Sequence, residues 1–348
     1  MPKAFLTTVI GSMPKRSWLV RDRIALDGKK DHFGKGPEWI MEGAELAEAQ
    51  DDAVRVVVSQ QEQAGIDIIS DGEQRRTNYV TTVVRGFEGF DFETLKEKTM
   101  RAGRRKVMAG RCIGEIKHKS PIVAEDVKFL RKLTSRPIKA TLPAPMTIVD
   151  SINDDFYGDA KTFAFAWADQ INKEAKLLEA AGADVIQFDE PVFSRYPEEA
   201  ADWGIEALDR CIEGLTATTA VHICYGYPQP GLERPIPDAY PTIIAALERS
   251  KIDQLALEFE GSKLDPSLLK FCPSKTVLFG CVFNSDGVME TPEHVANRLL
   301  KAAEALPPEQ IQAAPDCGLA PMSSVKAFQK LKIMCEGAAL ARQRAGLE

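Results

Sequence analysis

The sequence predicts an α/β chain folded as a (β/α)8 barrel. Eight short apolar or β-branched runs alternate with helical stretches along 348 residues, the order of parallel strands joined by crossover helices. Most of these runs are apolar throughout, as strands buried on both faces require. Polar side chains recur at one place in each unit, the carboxyl end of the strand, where such barrels build their sites.

The first strand is expected at residues 5–10 (Phe-Leu-Thr-Thr-Val-Ile), stopped by Gly11-Ser12-Met13-Pro14. Residues 15–40 are mixed and charged and read as a loop with short helical pieces. A helix rich in Ala, Glu, Gln and Val runs over 42–64 and is closed by Gly65. Residues 66–70 form the second strand. Residues 85–120 break the rhythm: three phenylalanines near glycines are followed by the cation-rich run 96–111. This stretch reads as an inserted excursion of hairpin type. Its basic run is either a solvated face or a site for an anionic ligand tail.

Further helices are expected at 125–133, 162–181, 205–215, 239–250, 292–306 and 325–345. Strands are expected at 137–142, 184–189, 216–222, 253–258, 275–283 and 310–315. No linker rich in Pro, Gly or Ser divides the chain, so residues 1–348 are expected to form a single barrel with an insertion at about 85–120.

A net charge of -7 argues against nucleic-acid binding. No apolar run approaches the roughly 18 residues of a membrane span. The first residues have no signal-peptide pattern. Seven scattered cysteines, an odd number, suit free thiols in a reducing compartment. The expectation is a cytoplasmic protein.

His222 and Cys224 lie two apart on the fifth strand and so share a face. A neutral imidazole and a thiolate suit Zn2+. Taken alone, the pair reads more simply as a buried cysteine beside a satisfied core histidine. The metal reading gains from its company: Ser12, Glu73, Asp189, His222, Cys224, Glu258 and Cys317 end strands from six units. His222, Cys224 and Cys317 are the strongest ligands. Glu258 ends the neighbouring sixth strand and can reach as a fourth, and Cys281 could replace one of them. Two thiolates and one carboxylate give a zinc site a net charge of about -1. That makes a weak Lewis acid for water and a suitable holder for a nucleophilic substrate thiol.

Five segments in order then resemble the catalytic barrel of the cobalamin-independent methionine synthases. They are Thr8-Val-Ile-Gly-Ser-Met-Pro14, Asp71-Gly-Glu-Gln74, Asp189-Glu-Pro191, His222-Ile-Cys-Tyr225 and Pro315-Asp-Cys-Gly-Leu319. The likeness covers nearly the whole chain and is greatest to short, core-type members that lack the extra N-terminal barrel, including in Asp202-Trp-Gly-Ile205 and Ala320-Pro-Met-Ser323. The resemblance implies zinc on His222, Cys224, Glu258 and Cys317, with homocysteine beside it. The backbone of Ile10, Gly11 and Ser12 would bind the homocysteine carboxylate, and Glu73 and Asp189 its ammonium. Arg111-Cys112 matches a pair that contacts the folate ring in the family.

Three positions depart from the family pattern on the donor side. Ser151 stands where a tryptophan is expected, Arg195 where a glutamate is expected, and Asp286 where a proton-donating histidine is expected. Asp286 could protonate the leaving amine only with a raised pKa. The expected activity is zinc-dependent methyl transfer to homocysteine, forming methionine. The donor is a methyl-tetrahydrofolate-type compound or a methyl group delivered by a partner protein. The alternatives are zinc-dependent alkylation of another small thiol of the coenzyme M type, or a barrel subunit active only with a partner protein.

Overall fold

Six parallel strands make one continuous hydrogen-bonded sheet in the order Lys139–Pro143, Val185–Asp189, Thr218–Ile223, Gln254–Leu257, Thr276–Val282 and Ile311–Pro315. Two further segments close it into a ring. Ile69 bridges Ile138, Thr8 bridges Ile68, and Thr7 bridges Ala313, all parallel. The result is the (β/α)8 barrel, and the strand ends are its mouth. This computed structural model describes residues 3–21, 38–227, 234–236 and 238–347. The loop and helical pieces expected within 22–37, and the proline-rich run at 228–233, lie outside the described residues.

The first two strands are reduced to single bridges because side chains take over the ladder. The Thr7 amide donates to the Asp67 carboxylate at 2.9 Å, and the Ser70 amide to Gln61 Oε1 at 3.0 Å. These bonds satisfy the backbone without a longer strand pairing.

Alternate residues of each strand point inward. On the fourth strand these are Val185, Gln187 and Asp189, with Asp189 at the mouth. Small apolar groups, among them Ile10, Ala256, Leu278 and Ala314, fill part of the interior. The outward residues, such as Ile186, Phe188, Val221, Leu255 and Phe279, pack beneath the helices in the main core.

The helices follow their sequence signals. Gly43–Ala64 stops at Gly65, whose φ of 96° is left-handed and favours glycine. Ala160–Ala180 starts on Asp159, whose carboxylate accepts from the Thr162 amide at 2.9 Å. Ser324–Ala345 is capped by Ser323 in the same way. Several short elements were not expected, among them the helix Pro145–Ser151 after the third strand and the π-helical turn Ala200–Gly204 before Ile205–Cys211.

The excursion is a β-hairpin. Phe87–Met100 pairs antiparallel with Arg105–His118, and Arg111 and Cys112 also pair with Asn153 and Asp154. Glu174, fully buried, fixes its exit. It bonds His118 Nε2 at 2.6 Å and accepts from the Val123 amide, also at 2.6 Å, where helix Ala124–Arg131 begins.

The last helix is locked to the loop after the seventh strand. Lys330 Nζ, fully buried, bonds Glu290 Oε2 at 2.7 Å and the Phe283 carbonyl at 2.7 Å, while Glu290 Oε1 accepts from the Phe283 amide at 2.9 Å. Removing one member of such a pair strands a charge in the core. Lys330→Met should therefore cost about 3–5 kcal/mol in urea unfolding. Adding Glu290→Leu to it should recover much of the loss, and a single variant as stable as the parent would contradict this account.

Candidate metal centre

Three side chains meet at the barrel mouth. His222 and Cys224 come from the end of the fifth strand and Cys317 from the turn after the eighth. Their ligand atoms all lie within 4.8 Å of one another, and all three residues are buried. The sulfurs of Cys224 and Cys317 are 3.8 Å apart. Metal–sulfur bonds of about 2.3 Å at a tetrahedral angle would set two sulfurs roughly 3.8 Å apart. His222 Nδ1 faces the Ala256 carbonyl at 3.2 Å, while its buried Nε2 has no hydrogen-bond partner among the described residues. One ring nitrogen thus orients the imidazole and leaves the other for a metal. The donor set and its spacing fit zinc.

The two thiols are electrostatically linked. The hydrogen bond shared with Cys317, followed by the His222 ring, holds the Cys224 thiol well below its usual value against the effect of burial. The same shared bond, with burial, pushes Cys317 up. Among protein groups alone the pair keeps one proton. Cys281, the considered substitute, bonds the Ala314 carbonyl at 3.6 Å and stands outside this group.

Glu258 is nearby but not within the three-residue group. Its Oε1 pairs with Arg234 Nη2 at 2.6 Å and its Oε2 accepts from the Tyr225 amide at 2.9 Å. Burial pushes its carboxyl up to about 8, with Asp316 and Cys224 adding and Arg234 opposing. Arg234 also donates to the Gly226 carbonyl at 3.0 Å, so it ties the sixth-strand end to the loop after Cys224. Nothing in the spacing of the sequence pointed to Arg234.

An acidic pocket lies across the mouth. Glu73 takes a left-handed φ of 54° and is buried; Ser12 Oγ donates to its Oε2, and Thr141 Oγ1 to its Oε1 at 2.7 Å. Gly11 leaves room for this carboxylate, because a Cβ would lie 2.8 Å from Glu73 Oε1 and displace it. Asp189 accepts from Gln187 Nε2 at 2.8 Å, and that same nitrogen donates to the Ile10 carbonyl at 2.9 Å. Burial pushes Asp189 up to about 7, with Glu73 adding and His222 and Arg76 opposing. A second buried acid beside one whose proton affinity is raised suits a cationic group. The Gly11 amide donates to no acceptor among the described residues. Ile10, Gly11 and Ser12 thus border Glu73 and Asp189, as the sequence expects.

The donor-side residues are not gathered in the same way. Arg111 Nε pairs with Asp155 at 2.7 Å and its Nη1 with Asp91 at 3.6 Å. Cys112 is buried, bonds the Gly114 carbonyl at 3.4 Å, and has its thiol pushed up to about 12 by burial. Ser151 is buried at the end of its helix. Asp286 is exposed, and Lys326 Nζ bonds its backbone carbonyl at 2.8 Å.

Two tyrosines escaped the sequence reading. Tyr79 has its phenol pushed up by burial, then by Asp189, Cys224 and Cys317. The Tyr227 hydroxyl lies 2.8 Å from where a Cβ on Gly318 would sit. Their loop positions give no periodic signal, although each follows a segment already marked as functional.

No described helix is long and apolar enough to cross a membrane. The family model of the cobalamin-independent synthase catalytic domain matches residues 5–340. The methionine synthase of Saccharolobus solfataricus is 33% identical over 340 residues, covering 97% of this chain and 95% of the relative. That of Pyrococcus abyssi is 31% identical, covering 97% and 93%. The structure of a B12-independent methionine synthase from Shewanella sp. W3-18-1, in complex with selenomethionine, matches with a TM-score of 0.90 at 36% identity, covering 99% of this chain and all of that one. A Listeria monocytogenes structure with a TM-score of 0.72 at 19% identity shares the fold. The chain belongs to the cobalamin-independent methionine synthase family, as an enzyme of its catalytic-domain type.

Proposed function

We propose that this enzyme transfers a methyl group to the thiol of homocysteine, giving methionine, at a zinc ion held by His222, Cys224 and Cys317 with Glu258 as an exchangeable fourth donor. The observation that carries this reading is the pairing of a two-sulfur, one-imidazole cluster with the buried Glu73–Asp189 acid pair. Zinc in such a donor set keeps a bound thiol deprotonated while leaving it nucleophilic. The protein groups do the positioning. Glu73 and Asp189 hold the substrate ammonium, the Gly11 amide faces its carboxylate, and Ser12 and Thr141 orient Glu73. A thiol of the coenzyme M type has no ammonium and would leave the acid pair unmatched.

The methyl group comes from a methyl-tetrahydrofolate-type donor, with Arg111 and Cys112 on the donor side and Asp286 supplying the proton to the leaving amine. A second reading, a methyl group delivered by a partner protein, is favoured by Ser151 in place of a stacking aromatic and by the exposure of Asp286. Turnover of purified enzyme with methyl-tetrahydrofolate and homocysteine alone separates the two.

Cys317→Ala should lower zinc, measured by mass spectrometry of the metal, from about one per chain to under roughly 0.1. Methyl transfer should disappear with it, and full zinc retention would contradict the ligand set. Asp189 also predicts a pH dependence. Its carboxyl is raised to about 7, so it is ionised above that pH and neutral below it. Methionine carries the same ammonium without a thiol, and its calorimetric affinity should fall about tenfold per pH unit below roughly 6. Asp189→Asn should flatten this profile, and a parent profile flat from about 5.5 to 8 would refute the role of Asp189.

A further inference from the structure

We propose that Arg101, Arg105 and Arg195 form an anion-binding site at the barrel mouth that receives a phosphate or carboxylate group carried by the methyl donor. The hairpin tip brings two of the three there. Residues 101–104 join the hairpin strands, and Arg101 and Ala102 take left-handed φ values of 56° and 53°. Such a conformation is strained for residues other than glycine and persists where the surroundings hold it. Two contacts hold it here. The Arg101 amide faces both oxygens of Asp150 at 3.3 Å, and the Ala102 amide donates to the Tyr196 hydroxyl at 3.0 Å. The tip is thereby pinned over the helix after the third strand and the turn after the fourth, and both elements rim the mouth.

Arg195 comes from that turn. Its Nη2 lies 3.3 Å from where a Cβ on Gly226 would sit, and Gly226 is two residues beyond Cys224. Tyr79 lies within the electrostatic reach of Arg195 and also of Cys224 and Cys317. An anion held by Arg195 therefore sits near Gly226, in the loop that follows Cys224.

The arginines have no counter-ion among the described residues. Among the described residues, no ion pair or hydrogen bond involves the side chain of Arg101, Arg105 or Arg195. The neighbouring acid Asp150 is taken by the tip amide and by the Tyr196 hydroxyl, which donates to it at 3.4 Å. Burial holds Arg101 below the usual arginine range, and the charges of Arg195 and Arg105 add to it. This concentration of positive charge occurs in a chain whose net charge is -7. Guanidinium forks bind phosphate and carboxylate in bidentate fashion, and such a ligand relieves their mutual repulsion.

That the anion belongs to the methyl donor rests on the proposed function; the existence of the anion site does not. The test is calorimetry on the full-length enzyme at low ionic strength, with inorganic phosphate in one arm and glutarate in the other. Saturable binding of either is expected, and the arm that binds identifies the anion. Affinity should fall at least about tenfold in Arg101→Gln and in Arg195→Gln, with unchanged zinc content and thermal midpoint as evidence of folding. It should stay unchanged in Lys106→Gln, whose side chain is exposed and paired with Glu97 at 2.9 Å. Binding of neither anion to the parent, or equal binding to the folded Arg101 and Arg195 variants, would overturn the site. An anion that binds the parent should also inhibit competitively against the methyl donor. A competition pattern against homocysteine instead would overturn the assignment to the donor while leaving the anion site standing.

Discussion

Closure of the barrel is the constraint on which the site depends. Cys224 and Cys317 are 93 positions apart in sequence yet share a hydrogen bond. Nothing local brings them together. The ring must close through the short seam in which Thr8 meets Ile68 and Thr7 meets Ala313. Asp67 reinforces that seam, accepting from both the amide and the hydroxyl of Thr7. At the mouth, Asp316 adds a second tie. Its carboxylate accepts from the Phe259, Glu260 and Gly261 amides at 2.9, 2.8 and 2.5 Å. The residue before Cys317 is thus anchored to the loop after Glu258. Gly280 lacks the Cβ that would overlap Asp316 Oδ1.

With the groups assembled, burial sets their chemistry. A dry site amplifies every charge interaction and disfavours unpaired charge. The mouth consequently separates into regions of different sign. The thiol pair and Glu258 form one acidic group, Glu73 and Asp189 a second, and the hairpin arginines a basic third. Under the proposed function an amino-acid thiol has a part for each acidic region, its ammonium for the acid pair and its sulfur for the cysteines. Its carboxylate is assigned to the Gly11 amide in the same proposal, which leaves the arginines for the other substrate.

Much of this was legible in the sequence because the relevant signals are local. Strand ends followed by a polar residue marked Glu73, Asp189, His222, Glu258 and Cys317, and alternation put His222 and Cys224 on one face. One helix stop came from Gly65, whereas the Asp159 cap, three residues before the expected start at 162, emerged only from the fold. The helix Pro145–Ser151 was hidden because its prolines carry a stop signal that serves equally well as a helix start. The first two strands were read as longer than they are, since side-chain acceptors such as Asp67 cannot be told from solvated acids without the fold. Arg234, Tyr79 and the hairpin-tip arginines lie on loops without periodicity. The run 96–111 was visibly basic, but only the docking of its tip on Asp150 and Tyr196 distinguishes a solvated face from a wall of the site.

The most direct measurement of the central claim is X-ray absorption at the zinc edge, recorded with and without homocysteine. The account predicts two protein sulfurs and one imidazole in the inner shell, from Cys224, Cys317 and His222, and one further sulfur when homocysteine is added. A shell of nitrogen and oxygen alone, or a sulfur number unmoved by homocysteine at saturation, would contradict it.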